Sequence, residues 1–463
     1  MKFAVLFALL LHGATATNTC VTDFDADAGV DYYPNKVEFE YASSLSVSYH
    51  LNYKKLVFTN WSGAYTTCVV KCGTTLPSDV TGCDTTISPE TNKMAITSAS
   101  MIPYIHSMGM LEKIELVMVG TSSIQNSCVL DLISDGTILA TDPAGNGYTW
   151  SSSMDTSHVE DEIEFTLTPT YGDVSAVKNS VPFGEWNDPS FLGRPEWIEY
   201  LGALTDQEFL AMNIYAEQKN RIECITNNVE TIRENYPVDN SGVKVLWATR
   251  SDYVTSGGVS HEGWDVATCV EDADSYGGVG PYYCEAATLL GMDLLNTTAG
   301  SVNAGGAIYM TNAEFEAYGK DATHWIYNAA FDEDDLTTRF PFITTFKSYQ
   351  DKTIYDPQKR GMNDFFETWT NQADTFIEDL ASITVDAGFL DGDDTTHVSV
   401  FYRNVFTEPT GSFGTCPGAT LELLSDQCSA ISEVYTLGGP APVASLKVAA
   451  ALAAFVGGAF LAL

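Results

Sequence analysis

The feature that most constrains this chain is a long helical stretch, Pro195 to Tyr236, set between two regions of alternating strand and helix signals. Trp197, Ile198, Leu201 and Leu204 fall on one helical face, and Phe209, Met212, Ile222, Ile225, Val229 and Ile232 continue the apolar stripe. Pro195 suits a first helical turn and Pro237 ends the pattern. Thr205-x-x-Glu208 has the form of a capping box, which predicts a break or kink inside the stretch.

Before this helix, Val37-x-Phe39-x-Tyr41 and Leu45-x-Val47-x-Tyr49 alternate as strands do, and Lys55–Phe58 follows. Lys93–Thr97 reads as a strand, Ser100 to Leu111 as a helix opened by Pro103, and Ile114–Val119 as the next strand. Glu162–Thr166 and Val181–Trp186 extend the same lobe. That β-α-β rhythm predicts a parallel sheet. After the helix the rhythm resumes with Val243–Trp247 (strand), Tyr282–Leu290 (helix) and Trp325–Tyr327 (strand), and Thr396–Arg403 is strand-like. The expected fold class is therefore α/β, with lobes at 17–190 and 237–385, a linking helix region at 191–236, and an extension at 386–437.

Both ends are apolar. Met1–Leu11 followed by Ala14-Thr15-Ala16 has the build of a secretory signal peptide over residues 1–16. At 438–463, small residues, a spacer and the apolar run Val448–Leu463 suggest a membrane-anchor signal, either for a lipid anchor or as a single spanning segment. The ten cysteines lie between these ends, an even number that reads as disulfides in a secreted chain. Proximity favours Cys269–Cys284 and Cys416–Cys428 as bridges. Asn60-Trp61-Ser62 and Asn296-Thr297-Thr298 are glycosylation acceptors. Asp23-x-Asp25-x-Asp27-x-Gly29-x-Asp31 looks calcium-like, but its glycine is one place late and no Glu closes it, so it reads as a solvated acidic turn. A net charge of −39, from 61 acidic and 22 basic residues, repels nucleic acid and anionic membrane surfaces.

Enzyme signatures are thin: the nucleophile elbow, His-Glu-x-x-His and the phosphate-binding loop are missing. Histidines are few and scattered, and His158 with Glu160, Asp161, Glu162 and Glu164 reads as a charged face. Aromatic and guanidinium groups are better placed. Trp186 follows a strand, Arg250 and Tyr253 close another, and Tyr327 ends a third. Ligands gather beyond the carboxyl ends of strands in α/β lobes, where Arg offers a rigid fork and Tyr or Trp a flat face. Phe365 and Phe366, set among Asn363, Asp364 and Glu367, give a mixed aromatic and polar wall suited to a cleft.

Three stretches carry a family resemblance. They are Tyr53–Val57 with Tyr65–Thr74; Phe191-Leu192-Gly193-Arg194-Pro195-Glu196-Trp197 through Leu201; and Lys347–Tyr355 with Asn363–Glu367 and Ala373–Leu380. Over residues 30–385 the chain resembles class III periplasmic substrate-binding proteins, the group that binds ferric siderophores, haem and cobalamin. It is similar in particular to secreted, membrane-anchored algal members, some described as ferrichrome-binding-like. The resemblance implies two Rossmann-like lobes joined by a long linking helix, a ligand cleft between them, no permanent cofactor and no enzymatic activity. It implies a ferric siderophore or other metal chelate as ligand, with Trp186, Arg250, Tyr253, Tyr327, Phe365 and Phe366 as contacts. Gln372 departs from the family, where Pro is common, as do the ten cysteines, the extension and the tail. A secreted hydrolase using carboxylates and an acidic adhesion protein are the alternative readings.

Overall fold

The computed structural model describes residues 20–60, 63–140, 162–169, 179–235, 243–254, 260–267, 269, 282–297, 301–302, 307–361, 363–385, 398–412, 414–416 and 428–429. The expected signal peptide at 1–16, the tail at 438–463 and the His158 cluster up to Asp161 lie outside these residues, as does most of the extension.

Three sheets organise the described chain. The first runs β1 (Leu45–Tyr49), β2 (Tyr53–Asn60), β3 (Gly63–Val70) and β4 (Thr85–Ile87) in that spatial order, antiparallel until the β3–β4 pair. The second contains β5 (Met94–Ile96), β6 (Ile114–Val117), β7 (Leu139–Ala140), β8 (Phe165–Thr168) and β9 (Ser180–Pro182). All its pairs are parallel and its order is β7-β6-β5-β8-β9. This is a doubly wound sheet whose direction of winding reverses between β5 and β8. The third contains β10 (Lys244–Val254), β11 (Ser260–Val266), β12 (Asp293–Leu294), β13 (Ser301–Val302), β14 (Ile308–Met310), β15 (His324–Ile326), β16 (Ile354–Asp356) and β17 (Arg403–Asn404). Its centre, β12 and β15 beside β10 and then β16, is parallel, and β11, β13, β14 and β17 are antiparallel flanks. The chain is therefore α/β in two lobes, as the rhythm of the sequence predicts.

The expected long helix is two helices. Gly193–Leu204 is buried on every side because it lies between the first two sheets: Trp197 packs on Phe58 of β2 and on Phe183 just beyond β9. Its chain then breaks at 205–207, with Asp206 at a φ of 57°, and resumes as Glu208–Asn235. The capping box is not what makes the break. The Thr205 hydroxyl donates back to the Leu201 carbonyl, and Glu208 instead accepts from Lys54. The second helix has 28 residues and spans about 42 Å at 1.5 Å per residue. Its first turns hold Ala211, Ile214 and Tyr215 in the core of the first lobe, and its far end leads to β10 of the second.

Three further expectations are corrected. Of the strand expected over Thr396–Arg403, residues 398–402 are irregular and only Arg403–Asn404 pairs, as β17. Residues 37–41 do not form a strand, because the backbone N–H groups of Glu40, Tyr41 and Ala42 are taken by the Glu196 carboxylate at 2.6, 2.8 and 2.6 Å. Cys416 and Cys428 do not pair with each other. Cys416 bonds Cys128 and Cys428 bonds Cys224, so each crosses to an earlier part of the fold rather than closing a local loop. Cys269–Cys284 forms as expected, and Cys20–Cys72 and Cys68–Cys83 staple the first sheet.

Candidate binding site at the lobe junction

The lobes meet where strands end. The segment after β6 reaches the segment after β16, and Glu367 accepts hydrogen bonds from the backbone N–H of Gln125 (2.5 Å) and Asn126 (3.1 Å). The segment after β9 reaches the helix Tyr282–Leu289, and Glu285 accepts from Phe191 N–H (2.5 Å) and from the Ser190 hydroxyl. The helix that follows β5, Ile102–Ser107, receives two hydrogen bonds from Asn371 Nδ2, at the Pro103 carbonyl and the Ser107 hydroxyl.

Arg194 stands at the middle of this junction. Its guanidinium lies 4.6 Å from the Tyr282 ring and 4.8 Å from the Trp369 ring, and its Nε donates to the Asp188 carbonyl. Tyr282 in turn accepts from Asn328 just past β15, and the Asn328 N–H donates to Thr249 in β10. A path of contacts thus runs from the segment after β9 to the middle of β10 and the end of β15. Two buried carboxyls accompany Arg194. Burial pushes Glu185 up to about 7 and Asp188 up to about 6, with Arg194 offsetting part of each shift. The Ser100 hydroxyl and the Trp186 backbone N–H favour the charged form of Glu185 without offsetting its burial, and the Nη2 of Arg194 has no partner at hydrogen-bonding geometry. A buried acid shifted by desolvation beside a specific charge partner marks a candidate functional site.

The five sequence candidates whose side chains are described do not all meet at this junction. Trp186 is half-buried in the short turn Glu185–Asn187 beside it. Arg250 is committed to its own lobe: it pairs with Asp252 at 2.5 Å, donates to the Gly263 carbonyl and sits 4.2 Å from the Phe340 ring. Tyr327 is buried against Trp325 and Phe331, and that burial holds its hydroxyl up to about 12. The side chain of Tyr253 lies outside the described residues. Phe365 and Phe366 diverge. Phe365 is 1% exposed and packs on Trp369, Phe376, Phe401 and Tyr402, whereas Phe366 is 47% exposed. The stretch 364–385 is thus mainly a wedge between the lobes, buried along the helices Asp364–Thr368 and Ala373–Thr384.

Sequence reasoning passed over Arg194, Glu185 and Tyr282. The available signal was Gly193-Arg194-Pro195: an Arg beside a helix-opening Pro is held in the first turn, next to the strand end that precedes it. Of the glycosylation acceptors, Asn296 is exposed, with its Oδ1 accepting from Cys269 N–H, and Asn60 is half-buried at the end of β2.

No family model and no curated protein matches this chain. Among solved structures it is similar to a periplasmic binding protein from Veillonella parvula (11% identity, 72% of this chain and 98% of that one, TM-score 0.44). It is also similar to a periplasmic heme-binding protein from Pseudomonas aeruginosa (11%, 62% and 92%, TM-score 0.41) and to FeuA of Bacillus subtilis complexed with ferri-bacillibactin (12%, 65% and 94%, TM-score 0.41). Likenesses this weak assign neither a family nor a ligand.

Proposed function

We propose that this chain is an extracellular solute-binding protein, tethered at the membrane through its C-terminal tail, that captures a ferric siderophore or similar metal chelate between its lobes for uptake. The observation that carries the reading is the meeting of strand carboxyl ends from two α/β lobes around Arg194, with a long helix bridging the lobes. Binding then needs no chemistry from the protein, only differential affinity. Trp186 and Phe366, the two of the described candidates with accessible ring surface, are the proposed contacts for the face of a chelate.

A thermal-shift panel of ferric hydroxamates, ferric catecholates, haem and cobalamin tests this. A ligand bound only by the folded state stabilises it by mass action, about 2.7 kcal/mol at a hundredfold excess over Kd, and so raises the melting temperature. One class should give a saturable rise, and a flat response to all four classes contradicts the proposal.

A further inference from the structure

A groove of about 510 Å³ lies away from the lobe junction, between the acidic segment after Cys20 and the β1–β2 turn. Phe24, Val30, Tyr32, His50, Leu51 and Tyr53 are among its apolar and aromatic lining side chains. Val30 and Leu51 are each 46% exposed and give the groove open aliphatic surface. The aromatic walls are arranged in pairs. His50 stacks on Tyr53 at 4.2 Å between centroids and 8° between planes, and Phe24 meets Tyr32 at 6.4 Å.

The groove is built rather than incidental. Cys20–Cys72 pins one end of the acidic segment, supported by Val21 N–H to the Cys72 carbonyl, and Tyr32 N–H to the Leu51 carbonyl pins the other. Asn52 holds the floor by donating to Thr74 and Thr75. Tyr49, which also lines it, is fixed by the hydrogen bond its hydroxyl accepts from Val37.

Its charged lining is Asp25, Asp31 and Lys36. Lys36 is paired with Asp31 at 2.8 Å, which leaves the Asp25 carboxylate as the surplus, with Asp23 and Asp27 beside it in the chain. Among the described residues no group of three or more His, Cys, Asp or Glu is placed to hold a metal ion. An apolar, aromatic groove with a surplus of carboxylate at its edge complements a cation that carries apolar surface, attracted by ring faces and by rim charge together.

We propose that this groove is a second binding site, specific for organic cations of the quaternary-ammonium type and independent of the junction between the lobes. The probe is choline, and the control is 3,3-dimethylbutan-1-ol, its neutral isostere. Both are titrated into the full chain by calorimetry, with the His50 imidazole followed by NMR. Cation–π attraction of the usual strength predicts about tenfold tighter binding of choline than of the alcohol, with a shift of the His50 resonance and weakening in 0.5 M salt. Asp25→Asn, which keeps an acceptor for the Asp27 N–H, and Tyr32→Leu should each weaken choline about fivefold without moving the melting temperature. The proposal is overturned if choline does not bind at about 20 mM, if the alcohol binds equally well, or if both variants bind choline as the parent does. Chelate binding at the junction is untouched by any of these outcomes.

Discussion

At the scale of single residues, the chain solves a problem that its composition creates. With 61 acidic and 22 basic residues, most carboxylates cannot find a basic partner. Several are satisfied by backbone N–H groups from distant segments instead. Glu164 accepts from Glu90, Thr91 and Asn92; Glu196 from Glu40, Tyr41 and Ala42; Asp379 from Val400, Phe401 and Tyr402. Together with Glu285 and Glu367 these carboxylates fasten loops that have no ladder to join. Glu196→Gln keeps the shape but offers only one acceptor oxygen to three N–H groups. It should cost about 1–3 kcal/mol in urea unfolding, and an unchanged midpoint would show that the clamp contributes little.

At the scale of elements, the break at 205–207 is held by charge. Lys54 of β2 is fully buried and bonds Asp206 and Glu208 at 2.6 Å each, beneath the ring of Tyr33 at 4.6 Å, while Lys71, just past β3, bonds Asp206 at 2.9 Å. Burial alone would raise the Asp206 carboxyl, but the two lysines hold it below its usual value. Lys54→Met leaves two buried carboxylates short of their partner and should destabilise the chain by about 3–5 kcal/mol. A loss under about 1 kcal/mol, read from chemical denaturation, would mean that water replaces the lysine. The helices and parallel strands were legible in the sequence because period and length are local signals: β5, β6 and the stretch around Trp197 fall where the pattern puts them. The pairing of Cys128 with Cys416 was not, since proximity in sequence says nothing about a bridge spanning 288 residues. Nor was the loss of strand structure at 37–41, which depends on a carboxylate 155 residues away from Tyr41. The junction was legible only in part. Trp186 was found by its position after a strand, but Arg194 is placed by tertiary packing.

At the scale of the whole molecule, the buried carboxyls make stability depend on pH in an unusual direction. Burial raises Glu199 to about 8 and Glu367 to about 8, alongside Glu185 at about 7 and Asp188 and Asp364 at about 6. Between the ordinary carboxylate range and pH 8 the folded chain therefore binds more protons than the unfolded one, so stability falls as pH rises through that window. The melting temperature should be higher at pH 6 than at pH 8. Self-repulsion at a net charge of −39 acts in the same direction, but salt screens it and not the buried groups. The trend should persist in 0.5 M salt and diminish in Glu367→Gln, and a melting temperature that is level between the two pH values would count against it.

The central claim is that a chelate binds where the strand ends of the two lobes meet. Tryptophan fluorescence during titration with the chelate class that shifts the melting temperature addresses it most directly, with the parent chain and Trp186→Phe compared side by side. The account predicts saturable quenching with one ligand per chain, and a markedly smaller quench and weaker affinity in the variant. Equal quenching and equal affinity in both proteins would place the ligand elsewhere and contradict the claim.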